Sequence, residues 1–125
     1  MTGEKLAELL KLKILFQGPA REITGVYAGD ILSRTVSKAK KGDLWITQSD
    51  SPDLVISAHL AGVSAIIIAE GSAVFPSLPD KARTAGISVY TSKKGIAELT
   101  AAAYRLLAKE TEAGIWNRLL SDESI

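Results

Sequence analysis

Apolar residues fall along the first hundred positions in two rhythms, the three-to-four spacing of a helix face and short unbroken runs of strand-favouring residues. Leu6, Leu9 and Leu10 recur opposite Glu4, Lys5, Glu8 and Lys11, which predicts a first helix with a leucine face, capped by Thr2. Lys13-Ile14-Leu15-Phe16 reads as a strand that stops at Gln17-Gly18-Pro19. Arg21-Glu22-Ile23-Thr24-Gly25 reads as a polar turn ending in Gly. Asp30 then opens an amphipathic helix with Ile31, Leu32, Thr35, Val36 and Ala39 on one face, Lys38, Lys40 and Lys41 in its last turn and Gly42 as its stop. Leu44-Trp45-Ile46-Thr47 is the next strand, and Gln48-Ser49-Asp50-Ser51-Pro52 is a loop of turn formers.

The second half repeats the alternation. Pro52 and Asp53 begin a helix with Leu54, Val55, Ala58, Leu60 and Ala61 inward, ended by Gly62. Ala65-Ile66-Ile67-Ile68-Ala69 is apolar on both faces, as a central parallel strand covered by helices on each side is. Glu70-Gly71 ends it, Pro76 to Ala85 makes a short helix stopped by Gly86, and Ile87-Ser88-Val89-Tyr90 is another strand. Thr91-Ser92 caps a helix running through Leu99, Ala102, Ala103, Leu106 and Leu107. This order predicts an α/β fold: a single three-layer domain, mostly parallel sheet with helices on both faces. Ligands of such sheets sit beyond the carboxyl ends of the strands, near a switch point. The expected rim is therefore Thr24-Gly25, Thr47-Gln48-Ser49-Asp50, Glu70-Gly71 and Thr91-Ser92.

The pattern divides the chain into a domain over 1–109 and a helical tail over 110–125. In the tail Ile115, Trp116, Leu119 and Leu120 lie at helical spacing beyond the predicted core, so their own domain or another chain must cover them. These are the candidate interface residues.

Composition narrows the function classes. At 125 residues with 46% hydrophobic and 23% charged positions, the chain can bury a self-sufficient core. Fifteen Lys and Arg against fourteen Asp and Glu leave a net charge of +1, which gives no electrostatic footprint for nucleic acid or an anionic membrane. Zero cysteines exclude disulfides, thiolate metal sites and a Cys nucleophile. The first residues, Met1-Thr2-Gly3-Glu4-Lys5, lack the apolar run of a secretory signal, and the expected location is the cytoplasm.

Chemistry-bearing motifs are few. No GxxxxGK[ST] phosphate loop and no GxSxG elbow occurs, and His59 is the single histidine, so no metal site, cofactor or catalytic group is expected. Gly25 allows a tight turn, and Asp30 either caps its helix or sits where a helix amino terminus would hold a phosphate or carboxylate. Thr47, Ser49 and Asp50 either line a pocket or serve as turn residues. Trp45, mid-strand, reads as core with its indole N–H hydrogen-bonded nearby.

The segment Ala20-Arg21-Glu22-Ile23-Thr24-Gly25-Val26, with Gly29-Asp30-Ile31-Leu32-Ser33, Gly42-Asp43-Leu44-Trp45-Ile46-Thr47, Ala65-Ile66-Ile67-Ile68 and Ala82 to Val89, resembles the DRTGG domain. That family is named for an Asp-Arg-x-x-Thr-Gly-Gly motif, of which this chain keeps Arg21, Thr24 and Gly25 and replaces two positions by Ala20 and Val26. The resemblance covers about Lys11 to Leu107 and identifies the chain as a stand-alone member. It implies an α/β fold similar to the amino-terminal domain of HPr kinase and of muramyl ligases. It also implies a regulatory or dimer-forming role, since such modules accompany phosphate acetyltransferase domains or lie between CBS domains in pyrophosphatases.

Together these readings lead to two expectations. The first is a non-catalytic, homodimeric regulatory module that senses a small anionic metabolite or nucleotide, or docks on a partner enzyme, with Arg21, Thr24, Gly25, Asp30, Thr47, Ser49 and Asp50 as candidate ligand contacts. The alternative is a pure protein-interaction or assembly domain without a small ligand.

Overall fold

The computed structural model describes residues 1–110. Two strands, β3 (Asp43–Thr47) and β4 (Ala65–Ile68), are buried at every position and form the middle of the molecule. Around them lies a five-stranded sheet in the order β1-β5-β4-β3-β2, with β1 (Lys13–Phe16), β2 (Gly25–Ala28) and β5 (Ser88–Thr91). The β2, β3, β4 and β5 strands run parallel in successive register, Val26 beside Leu44, Leu44 beside Ala65 and Ala65 beside Ser88. Only β1 is antiparallel, and its pairing with β5 is irregular between Ile14 and Phe16.

Alternation along the strands splits the core into two layers. Leu44, Ile46, Ala65, Ile67 and Tyr90 face α1 (Gly3–Leu10) and α5 (Ile96–Glu110), meeting Leu6, Leu10, Leu99 and Ala103. Trp45, Ile66, Ile68 and Val89 face α2 (Leu32–Lys38), α3 (Leu54–Ala61) and α4 (Leu78–Ala85), meeting Leu54, Ala58, Leu78 and Ala82. This is the predicted three-layer α/β domain with a mostly parallel sheet. The expected core role of Trp45 also holds: it is fully buried, and its indole N–H donates to the Gly29 carbonyl at 2.9 Å.

Several local expectations are corrected. The stretch from Gly25 to Ala28, read as the end of a turn, is an edge strand, because parallel pairing with β3 supplies what its own composition lacks. Leu9 does not belong to the buried face of α1: it is exposed, and Gly3, Leu6, Ala7 and Leu10 pack inward. On α2 only Thr35 is buried, while Ile31 and Val36 are exposed. On α3 Leu60 is exposed although Leu54, Val55 and Ala58 are buried as expected. The last strand ends one residue later than predicted, and α5 starts at Ile96, so Thr91-Ser92 do not cap it.

Two glycines are fixed by close approach. Gly42, at φ +88°, lies against the Thr24 hydroxyl at the start of β3. Gly3 lets α1 descend onto Tyr90, whose hydroxyl would stand 2.7 Å from a Cβ there. Tyr90 is fully buried, donates to Gln17 Oε1 at 2.9 Å, and Gln17 in turn donates to Ser88 Oγ at 3.1 Å. Burial pushes the Tyr90 hydroxyl pKa up, against hydrogen bonds with Ser88 and Gln17 that pull it down. The contact generates a double-mutant cycle. Gly3→Ala is expected to cost about 1–3 kcal/mol by overpacking, and Tyr90→Phe about 1 kcal/mol by stranding the Gln17 acceptor. Combined, they are expected to cost less than their sum, since the missing hydroxyl makes room for the new methyl. Urea unfolding of the four proteins measures this, and strict additivity would refute the contact.

Candidate functional site

The carboxyl ends of the four parallel strands form one polar edge of the sheet. Asp30, just past β2, reaches across to the end of β3, where its Oδ1 accepts from Thr47 Oγ1 and from the Gln48 N–H, both at 2.8 Å. Its Oδ2 accepts from Gln48 Nε2 at 3.1 Å. Asp30 therefore does not cap α2, whose N-cap position is Ile31 and has no side-chain cap bond. Three donors at the strand end outcompete the orphan amides of a short helix. Partial burial alone would raise the Asp30 pKa, but the bonds from Gln48 and Thr47 together hold its carboxyl below the ordinary value of 3.8.

Hydroxyl groups build the loop beyond. Thr47 Oγ1 accepts the Ser49 N–H, Ser49 Oγ the Ser51 N–H, and Ser51 Oγ the Asp53 N–H, at 3.1, 3.2 and 3.1 Å. Such turns use the oxygen as acceptor and leave the hydroxyl proton to donate elsewhere. Asp50 is exposed on the same loop. The structure thus brings Asp30, Thr47, Ser49 and Asp50 together.

The other members of the set are elsewhere. Gly25 pairs with Asp43 at the amino end of β2, and the Thr24 N–H donates to the Gly42 carbonyl. Arg21 is exposed beside Gly86, which precedes β5. Arg21, Thr24 and Gly25 therefore lie on the opposite, amino-terminal edge of the sheet, and the expectation that Thr24-Gly25 shares a rim with Thr47 is corrected. The cause is β2 itself: once Gly25 begins a parallel strand, its near end must be the far end from Thr47.

The crossovers also relocate the switch point. The chain steps from β2 to β3, β4 and β5 in one direction with α2, α3 and α4 on one face, and only after β5 does it leave for the other face. Adjacent strands whose following helices part to opposite faces are thus β4 and β5, and the crevice between them is where such sheets hold ligands. Glu70 (φ +65°) and Gly71 close one side, and their N–H groups donate to the carbonyls of Lys94 and Ser92, both at 2.9 Å. The Glu70 carboxylate accepts the Ile96 N–H at 3.0 Å, doing for α5 what Thr91-Ser92 was expected to do. Ser92 Oγ accepts the Lys94 N–H, and Lys93 and Lys94 are exposed on the lip.

Sequence reasoning placed Gln48, Glu70-Gly71 and Thr91-Ser92 on the rim, left Gln48 out of the candidate ligand contacts, and missed Lys93 and Lys94. The lysines carried no signal in the sequence, because the face chosen by α5 is a tertiary fact. A separate groove of about 650 Å³ runs between α3 and α4, lined by Pro52, Ile56, His59, Asp80, Lys81 and Thr84 among others. His59 is exposed there, in keeping with a surface histidine. Among the described residues no three His, Asp or Glu side chains gather as a metal site, and no helix is long and apolar enough to cross a membrane. Ile115, Trp116, Leu119 and Leu120, with the tail of 110–125, lie outside the described residues apart from Glu110, the last residue of α5.

No family profile matches the sequence, and no curated protein matches it. Among solved structures, the chain is similar to the CBS and DRTGG domains of the regulatory region of Clostridium perfringens pyrophosphatase, crystallised in complex with its activator diadenosine tetraphosphate. The TM-score is 0.62 at 14% sequence identity, and the match covers 80% of this chain and 44% of that one. The match thus spans less than half the length of that crystallised regulatory region. At this identity the likeness carries the fold, an α/β fold of the kind found in that regulatory region.

The Asp30 tie generates a pH prediction. Its folded pKa is lowered, so its contribution to stability is present above about pH 4, the unfolded carboxyl range, and is lost as pH falls through the folded value. Asp30→Asn is expected to cost under about 1 kcal/mol near neutrality, because the carboxylate is exposed and screened. The gap between the variant and the parent is expected to close in acid. Urea midpoints from neutral to acid pH measure it, and a gap independent of pH would show that the charge is irrelevant.

Proposed function

We propose that the chain is a non-catalytic regulatory module of DRTGG type that takes a small anionic metabolite or nucleotide at the carboxyl-end edge of its sheet. The single observation that carries this reading is the β4–β5 crevice, where the chain changes face. There the exposed side chains of Lys93 and Lys94 stand beside loops rich in hydroxyl donors, with Ser92 next to them and Ser49 and Ser51 further along the same edge. Cations and O–H donors together suit phosphate or carboxylate oxygens. Asp30 and Thr47 act as the brace of this edge, and Ser49 and Asp50 are its outer contacts. Arg21, Thr24 and Gly25, on the far edge, would meet a different partner or none. The solved pyrophosphatase regulatory region was crystallised with a nucleotide activator, which favours a sensing role for a fold of this kind.

Residues 1–109 form the module in this reading and 110–125 a separate contact segment. Homodimer formation, docking on a partner enzyme and a cytoplasmic location belong to the same proposal. A second reading, a pure assembly domain, is favoured by one observation: Ile56 and Leu60 stand 60% and 65% exposed on α3.

A thermal-shift screen with nucleotides, acyl phosphates and sugar nucleotides separates the two readings. A ligand held at about 100 times its Kd stabilises by about 2.7 kcal/mol, a rise of several degrees for a domain of this size. Lys93→Ala combined with Lys94→Ala is expected to abolish that rise while leaving the unliganded melting temperature within about a degree, as surface substitutions do. No shift with any compound would leave the assembly reading. Light scattering at micromolar concentration tests the dimer, and a strict monomer removes it.

A further inference from the structure

The α3 helix is apolar on its solvent side as well as on its core side. Leu54, Val55 and Ala58 pack inward, yet Ile56 and Leu60 stand 60% and 65% exposed. Four positions apart, these two lie one turn above the other on the helix surface, and Asp53, three positions before Ile56, continues the same line to the helix start. A helix apolar on two sides belongs between two packed surfaces, and the described residues cover only one of them.

We propose that the solvent side of α3 is the contact between two copies of this chain, with the two α3 helices antiparallel about a two-fold axis that passes beside Ala58. In that register Ile56 of each copy meets the partner's Leu60. Charge selects this occupant. Asp53 is exposed at the N-cap of α3 and makes no side-chain cap bond. At the other end Lys41 is exposed and lies beside Gly62, the C-cap residue, its Cα 3.5 Å from where a Gly62 Cβ would stand. The axis that pairs Ile56 with Leu60 carries Asp53, five positions before Ala58, to the place five positions beyond it, one past Gly62 and therefore beside Lys41.

One register thus joins the apolar pair and an Asp53–Lys41 ion pair, each twice over. A parallel crossing would set Asp53 against Asp53 and Lys41 against Lys41, which like-charge repulsion disfavours. A foreign surface would have to supply an apolar pair flanked by opposite charges at matched spacing, whereas a second copy supplies them by symmetry. The groove between α3 and α4, lined by Ile56 and His59, extends the face onto Lys81 and Thr84. That width matters, since eight helical residues span only about 12 Å and a stable interface takes about 800 Å² from each partner. The inference deepens the homodimer of the reading above by giving it a surface, and it is independent of the β4–β5 crevice.

Light scattering across micromolar concentrations tests it. The parent is expected to dimerise, and Ile56→Glu combined with Leu60→Glu to be monomeric with an unchanged far-UV circular dichroism spectrum. Asp53→Lys and Lys41→Asp are each expected to raise the dimer Kd several-fold. Together they are expected to recover most of the parent's affinity, because the exchanged charges again meet opposite signs. Both positions are exposed, so this charge series decides the question even where the double glutamate variant loses its fold. A strictly monomeric parent overturns the surface together with the homodimer reading. A dimer that withstands the two glutamates overturns the surface and leaves that reading standing. A charge-exchanged pair no tighter than the weaker single variant overturns the antiparallel register, and the proposal with it.

Discussion

Everything in this molecule answers to the demand that β3 and β4 be covered on both faces. Nine side chains, Asp43 to Thr47 and Ala65 to Ile68, are shut off from water, and apolar burial at roughly 25 cal/mol per Å² makes this pair the main source of cohesion. A strand pair of that kind is stable only as the middle of a sandwich, so the chain must supply two helical layers. Three crossovers in one direction place α2, α3 and α4 on one face, and the first and last described helices, α1 and α5, supply the other. The change of face after β5, and with it the β4–β5 crevice, follows from this arithmetic of coverage.

The same demand explains the buried polar groups. Asp43 begins the most enclosed strand, and its Oδ2 accepts the Lys40 N–H at 2.8 Å. Ser64 Oγ donates to the Glu22 carbonyl at 2.7 Å, and Ser88 Oγ accepts from Gln17 and Gly18. Each lies at the amino edge, where strands begin and loops pack beneath them. Among the described residues no buried side-chain nitrogen or oxygen lacks a hydrogen-bond partner. The amino edge is therefore closed by internal bonds, whereas the carboxyl edge presents hydroxyl protons and lysines to solvent.

How far the sequence discloses this depends on whether a signal is local. Thr2, Gly62 and Gly86 announce their helix ends because capping acts within a few residues. The run from Ala65 to Ile68 declares a central strand because both its faces are apolar. By contrast, β2 is invisible as a strand, since Gly25-Val26-Tyr27-Ala28 pairs only because β3 lies beside it. That one omission put Thr24-Gly25 on the wrong edge of the sheet. Asp30 misled for a related reason: a carboxylate before a helix reads as a cap until a strand end from elsewhere offers it better donors. Leu60 and Val36 lie where the helical period predicts packing, and periodicity cannot say how wide a face the neighbours will cover.

The antiparallel partner of β5 brings the order of assembly into view. Strands β2 to β5 form from successive strand–helix–strand units, each closing a short loop of chain. The first strand is different, because its neighbourhood is built from residues far along the sequence: Gln17 meets Ser88 and Tyr90 across 71 and 73 positions. Loop-closure entropy grows with the logarithm of that separation and must be met before any contact rewards it. Among the described strands β1 pairs only with β5, so its ladder cannot form until β5 is in place. Its edge carries Lys13, a charge of the kind that discourages a waiting strand from pairing with another chain.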